Sequence, residues 1–257
     1  MPLVATDAIV LHVANYLESS RLIRLATREA GLVSVIARGA RTSKKRFGSA
    51  VDLFAEGQAQ IDLRPGRDLH TLNGFDVTRS HPALAADLSR FSAAAALAEC
   101  AQRILHDEPA PGAFLELQGA LNRLALSHGP EIPSVGLGAL WRLLAAAGFA
   151  PVLAECVDCH APLEPADDLA FSSQAGGLRC RLCAARAPGG RRLPASAQIV
   201  LAQWLADETP PLEPAAARAH QRLFREFLGH HVTDERPLRA FLQWESGQID
   251  RPGPALP

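Results

Sequence analysis

Lysine is almost missing from this chain. Lys44 and Lys45 are the only two in 257 residues, and methionine and tyrosine occur once each. The other cations are arginine, a usage that fits a GC-rich genome better than a function. Long apolar runs are missing too. The longest, residues 143–154, is broken by Gly148 and Pro151 and falls short of the ~20 residues that cross a bilayer. The first twenty residues lack a basic start followed by an apolar block. A cytoplasmic protein with no membrane partner and with reduced thiols is therefore expected. Enzyme signatures are equally scarce. No GxxxxGK[ST] phosphate loop, HExxH or GxSxG occurs, and Gly136 and Gly138 lack the third glycine of a dinucleotide site. The pair His230-His231 ends an amphipathic stretch, where positive charge is favoured by the helix dipole. No carboxylate cluster suggests two-metal chemistry. The expectation is a protein that is not an enzyme.

What is present is ordinary globular material, 48% hydrophobic and 21% charged, long enough for one large domain or two ordinary ones. The net charge of −1 hides an asymmetry, since residues 1–80 carry 11 Lys/Arg against 8 Asp/Glu. Five β-rich runs, at 8–13, 21–28, 32–38, 51–63 and 69–77, are punctuated by Gly31, Gly39, Gly48 and Pro65-Gly66. In the second run Ile23, Leu25 and Thr27 alternate with Arg24, Ala26 and Arg28, the pattern of a half-exposed strand. Five short strands in this length suggest a barrel of the OB type, because closure removes exposed edges. Tyr16, Phe54 and Phe75 read as its core.

Helical stripes follow, among them Leu84, Leu88 and Phe91, then Phe114, Leu117 and Leu121, then Leu137, Leu140 and Trp141, with Leu223, Phe224 and Phe227 further on. Cys100, alone in the first, reads as a small buried apolar residue. The fold class expected is α+β: residues 1–80 an OB-type domain that binds DNA, 81–246 a mostly helical domain with a cysteine module inserted at 154–187, and 247–257 a disordered Gly/Pro-rich tail.

The module reads Cys156-x2-Cys159-x20-Cys180-x2-Cys183. A CxxC turn aims two thiolates at one point, and two such knuckles make the four-sulfur tetrahedron that Zn2+ accepts. Phe171, Gly176-Gly177 and Leu178 supply the turn and packing of a ribbon hairpin. Four thiolates leave no open position for water, so one structural zinc ion is expected. Two disulfides or ordinary buried thiols are the bland alternative. His160 stands just outside the ligand spacing, and Arg179 and Arg181 either offset the shell's charge or are solvated.

The second feature is cationic. Arg38, Arg41, Lys44, Lys45 and Arg46 lie in nine residues without an acid, followed by Phe47. Arg21, Arg24 and Arg28 project from the neighbouring strand, and Arg64 and Arg67 bracket Pro65-Gly66. In an OB-type barrel these strands and loops form the oligonucleotide face, where cations meet phosphates and rings meet bases. A solvated charge run is the plain alternative. Phe47 either stacks a base or plugs the barrel end.

These parts converge on one family. Glu18-Ser19-Ser20-Arg21-Leu22-Ile23, Thr27-Arg28-Glu29-Ala30-Gly31-Leu32, Ala37-Arg38-Gly39-Ala40-Arg41 and Ser43-Lys44-Lys45-Arg46-Phe47-Gly48 resemble the opening of RecO, the bacterial recombination mediators. Gly148-Phe149-Ala150-Pro151, Phe171-Ser172, Gly176-Gly177-Leu178 and the two cysteine pairs continue the resemblance in order, and residues 220–244 do so more loosely. The resemblance implies binding of single- and double-stranded DNA and annealing of complementary strands. It also implies engagement of the acidic C-terminal tail of single-strand binding protein, pairing with RecR to help load RecA, and work at the nucleoid. Some family members lack the full cysteine set. The tail would need an apolar groove rimmed by cations, with Arg103, Arg123 and Arg142 as candidates. Two other readings stand beside this one: a zinc-ribbon transcription regulator, which needs a base-reading helix, and a zinc hydrolase or nuclease, which needs an open coordination position.

Overall fold

The computed structural model describes residues 3–40, 47, 51–187, 189–232 and 236–247. All but the first residue of the expected tail lies outside them. The chain divides into two compact units, Met1–Leu126 and Ser127–Pro257.

The first unit contains a closed barrel of β1 (Leu3–Tyr16), β2 (Ser20–Thr27), β3 (Gly31–Ala37), β4 (Glu56–Asp62) and β5 (Leu69–Arg79). The strand order is β1-β2-β3-β5-β4, and β4 returns to β1. Every pairing is antiparallel except β3 with β5, where Val35 faces His70 and Ile36 faces Thr71. Alternation sends Val33, Val35 and Ala37 of β3 inward, beside Ile23, Leu25, Ala59, Ile61, Leu72 and Phe75. A register shift between Val10 and His12 bends β1 around the barrel.

The run expected as one strand from 51 to 63 is a strand only from Glu56. Before it, Phe54 turns through φ 67° and its backbone N–H donates to the Val10 carbonyl at 2.9 Å, so this stretch folds against the bulged part of β1. Phe54 and Phe75 are core residues as expected, but Tyr16 is 42% exposed. The β2–β3 turn needs Gly31 twice over. Its φ is 64°, and a Cβ there would lie 2.3 Å from the carbonyl oxygens of His106 and Glu108.

Three helices belong to the same unit: α1 (Pro82–Ala86), α2 (Leu88–Ile104) and α3 (Pro111–Leu126). Asp87 caps α2 by accepting the Arg90 N–H at 2.9 Å. Glu56 ties the helices to the barrel. It is 3% exposed, and its carboxylate meets His81 Nε2 at 2.7 Å and accepts from Gln118 Nε2 at 2.7 Å. The sequence pattern puts a boundary after residue 80, and the first compact unit runs on to Leu126, taking in these three helices. Cys100 is fully buried in α2, and desolvation pushes its thiol well above the usual range.

The second unit is mostly helical. A 3-10 turn (Gly129–Glu131) leads into α4 (Ile132–Ala146), and the cysteine module follows with β6 (Ala170–Ser172), β7 (Gly177–Arg179), α5 (Arg181–Arg186) and β8 (Arg191–Arg192). Then come α6 (Ala195–Leu205), α7 (Pro214–His231) and α8 (Arg239–Ser246). Trp141 packs edge-on against Phe224 and Phe227 at 5.2 and 5.1 Å. Arg142, considered above for a groove rim, is 9% exposed and occupied inside the unit. It donates to the Trp204 carbonyl at 2.8 Å at the end of α6 and pairs with Asp207 at 3.3 Å.

Candidate metal centre and nucleic-acid interface

Two backbone devices build the cysteine cluster. In the first knuckle the His160 N–H donates to the Cys156 carbonyl and the Cys156 N–H to the Ala161 carbonyl, both at 2.9 Å, with His160 at φ 58°. The second knuckle leaves β7 and enters α5, where Cys180 stands as the N-cap. The β6–β7 hairpin fixes the register, with Phe171 opposite Leu178. Val157 N–H donates to the Leu178 carbonyl at 2.9 Å and Cys180 N–H to Cys156 Sγ at 3.3 Å. The expected hairpin of Phe171, Gly176-Gly177 and Leu178 is therefore present. Gly177 lies so close to Val152 that a Cβ would be 2.2 Å from its carbonyl oxygen.

The Sγ atoms of Cys156, Cys159, Cys180 and Cys183 all lie within 4.8 Å of one another. A tetrahedron with Zn–S bonds of about 2.3 Å has edges of about 3.8 Å, and Cys159 Sγ and Cys180 Sγ are 3.8 Å apart. The donor set and its size thus fit a metal ion. Burial opposes ionisation of Cys156, yet the backbone N–H groups of Cys180, Cys159 and Asp158 bring it down to about 6. Hydrogen bonds to Cys180 and Cys159 push the Cys183 thiol up to about 12. His160 turns away to Glu155 at 3.0 Å, which raises its basicity, and Arg179 pairs with Asp158 at 2.9 Å.

The barrel cations are not equivalent. Arg21 donates to the Val51 carbonyl at 3.1 Å and lies 3.8 Å from Asp52. Arg28 sits between Asp7 at 3.7 Å and Glu29 at 4.0 Å. Arg24 is half-buried on β2. Arg41, Lys44, Lys45 and Arg46 lie outside the described residues. Phe47 is 1% exposed inside the barrel core, which leaves its ring no face for a base. That burial fits the plug of the two readings.

Arg38, Arg64 and Arg67 are different. They line one open cleft of about 560 Å³ together with Tyr16, Ile36 and His70. Among the described residues none of the three arginines is held in an ion pair, in contrast to Arg21 and Arg28. Arg64 Nη2 reaches Thr71 Oγ1 at 3.5 Å, and its backbone N–H donates to His70 Nδ1 at 3.1 Å. Residue-by-residue reading missed Tyr16 and His70. The signal for Tyr16 is its place at the end of β1 beside Leu17 and Glu18, both exposed.

Comparison with known proteins covers nearly the whole chain. The family model described as "Recombination protein O N terminal" matches residues 1–81, and "Recombination protein O C terminal" matches residues 85–240. A DNA repair protein RecO from Anaeromyxobacter sp. (strain Fw109-5) is 35% identical over 255 residues, 96% of each chain. Proteins of the same name from Thermobifida fusca (strain YX) and Nocardioides sp. (strain ATCC BAA-499 / JS614) are 34% and 32% identical, covering 78% and 91% of this chain and 80% and 96% of their own.

Proposed function

The chain belongs to the RecO family of DNA repair proteins, and from that premise we propose that it is a non-enzymatic recombination mediator whose barrel binds DNA. The observation that carries this reading is the convergence of Arg38, Arg64 and Arg67 on one cleft, where among the described residues no carboxylate pairs with any of them. An unpaired guanidinium is ready to replace the counterions around a phosphate, and their release drives binding without regard to sequence. The run Arg41, Lys44, Lys45 and Arg46 begins three residues after Arg38 in the chain, and by its charge it is a further candidate for the same role.

Function follows passively. Phosphates neutralised on the barrel repel one another less, so complementary strands approach and anneal without nucleotide hydrolysis. The partners in this reading are single- and double-stranded DNA, RecR, the acidic tail of single-strand binding protein and, through them, RecA. Work takes place in the bacterial cytoplasm at the nucleoid, and no described helix is long and apolar enough to cross a membrane. One Zn2+ held by Cys156, Cys159, Cys180 and Cys183 plays a structural part, since four thiolates leave no position for substrate.

The test is a salt titration of single-strand binding. Each phosphate contact contributes about 0.7 to the slope of log K against log salt. Alanine at Arg38, Arg64 and Arg67 together should flatten the slope by roughly two, and the same change at Arg41, Lys44, Lys45 and Arg46 should flatten it further. Arg28→Ala, already paired with Asp7 and Glu29, should leave it nearly unchanged. An unaltered slope in the triple variant overturns the assignment.

A further inference from the structure

We propose that the cysteine cluster is a peroxide-reactive site: hydrogen peroxide oxidises Cys159, Cys180 completes a disulfide across the two knuckles, and the metal ion is given up. This rests on the reading that the four thiols hold one Zn2+, and it adds a regulation of that site by oxidant.

The four thiols are not equally open. Cys156 is buried, Cys180 and Cys183 are half-buried, and Cys159 is exposed. Reactivity toward peroxide follows thiolate character and access. Metal coordination keeps all four as thiolates, so access decides, and Cys159 reacts first. Its thiolate attacks one oxygen of the peroxide. The O–O bond breaks, the sulfur becomes a sulfenic acid, and the departing hydroxide takes a proton and leaves as water. A second thiolate then attacks that sulfur and expels its hydroxide, again as water. Two thiolates, one hydrogen peroxide and two protons give one disulfide and two waters.

Cys180 is placed for the second step. Its Sγ lies 3.8 Å from Cys159 Sγ, and it stands at the junction of β7 and α5, where one residue can swing. Cys183 belongs to α5 and is fixed by that helix's own bonds. Cys156 is held inward, buried and with its Sγ accepting the Cys180 N–H at 3.3 Å. Once Cys159 and Cys180 are joined, Cys156 and Cys183 are half a coordination shell, too few to keep the ion. The new bond runs between the same two stretches of chain that Val157 N–H and the Leu178 carbonyl already tie at 2.9 Å. Oxidation therefore pins the knuckles where the metal had held them. A bond inside one knuckle would join neighbours three residues apart and brace nothing.

The test uses the full chain loaded with Zn2+. Hydrogen peroxide is added beside a chromophoric zinc chelator, free thiols are counted after denaturation, and a non-reducing digest is mapped by mass spectrometry. Zinc release above the rate without peroxide should run with the loss of two of the chain's five thiols. The digest should give peptides joined through Cys159 and Cys180, and dithiothreitol should restore all five thiols and zinc uptake. Zinc retained under excess peroxide, or a disulfide within one knuckle, overturns the proposal and leaves the metal reading intact. A chain that takes up no zinc before any oxidant is added overturns the metal reading and the proposal with it. Cys159→Ser should slow release about tenfold, whereas Cys100→Ala, a change at the buried thiol of the first unit, should leave it unchanged. Equal rates in Cys159→Ser and the unaltered chain overturn the order of attack, and the linkage map decides the pairing without any variant. Finally, the urea midpoint of the oxidised chain, read by tryptophan emission, should exceed that of the reduced chain after chelation. Equal midpoints overturn the pinning.

Discussion

Glu56 and His220 are two ionisable side chains closed inside the two units, and both make stability depend on pH. For Glu56 burial alone would raise the carboxyl, but hydrogen bonds from His81 and Gln118, with the charge of Arg79 nearby, hold it below its ordinary 4.5. A carboxyl lowered in the folded state contributes stability that is present above the ordinary value and lost as pH falls through the folded one. Acid should therefore loosen the first unit only below about pH 4.5, and Glu56→Gln should remove that slope at a cost of about 1–3 kcal/mol near neutrality. Urea midpoints followed by far-ultraviolet dichroism check this. His220 behaves differently. Desolvation lowers it from 6.5 to about 4, edge-on against Trp204 at 4.7 Å. Between those values the unfolded chain binds a proton that the native one does not, so stability falls as pH falls through that window, by about 3 kcal/mol in all. His220→Phe should flatten the window, read by tryptophan emission. Neither residue was legible from sequence as ionisable and buried, because burial is set by helices far apart in the chain. The cysteines were legible because a CxxC knuckle is local and its chemistry admits few readings.

Element pairing decides which cations meet. The five strands were readable as β-rich runs between glycine and proline breaks, although the fourth begins only at Glu56, and the ribbon hairpin of β6 and β7 was readable from the spacing between the cysteine pairs. The barrel face was legible as a set of cations, but which of them meet in the cleft was not, since that depends on the parallel contact of β3 with β5, which sets Val35 beside His70 and Ile36 beside Thr71. That contact brings the end of β3 to the β4–β5 loop, some thirty residues away in the chain. It selects Arg38, Arg64 and Arg67 from a longer set of arginines, while the antiparallel β1–β2 pairing leaves Arg28 beside Asp7. The hairpin can be tested through Gly177. A Cβ there meets the Val152 carbonyl oxygen at 2.2 Å and the Val152 nitrogen at 2.9 Å, backbone atoms that cannot rotate aside. Gly177→Ala should shift β7 against its neighbours, spread the two knuckles and weaken metal binding at least tenfold, at a stability cost of about 2–4 kcal/mol. A competition titration with a chromophoric zinc chelator measures the affinity. An unchanged affinity would mean that the hairpin does not set the knuckle spacing.

At the scale of the whole molecule, the two chemistries lie in different units. The cleft belongs to Met1–Leu126 and the thiol cluster to Ser127–Pro257. The optical probes are divided in the same way, with Tyr16 in the first unit and Trp141, Trp204 and Trp244 in the second. Removal of a structural metal leaves four thiols crowded within 4.8 Å, and the binding energy that held the knuckles together is lost as folding energy. A chelator should therefore lower the urea midpoint seen by tryptophan emission. Acidification should act in the same direction, because thiolates must take up protons to release the ion. The salt slope of single-strand binding should stay where it was, since the cations proposed to set it lie upstream of residue 68. Measuring both quantities on one sample, before and after chelation, separates a metal that braces the second unit from one that takes part in holding DNA. A flattened salt slope after chelation would place phosphate contacts at the cysteine module, with Arg181 and its neighbours as the groups to examine next.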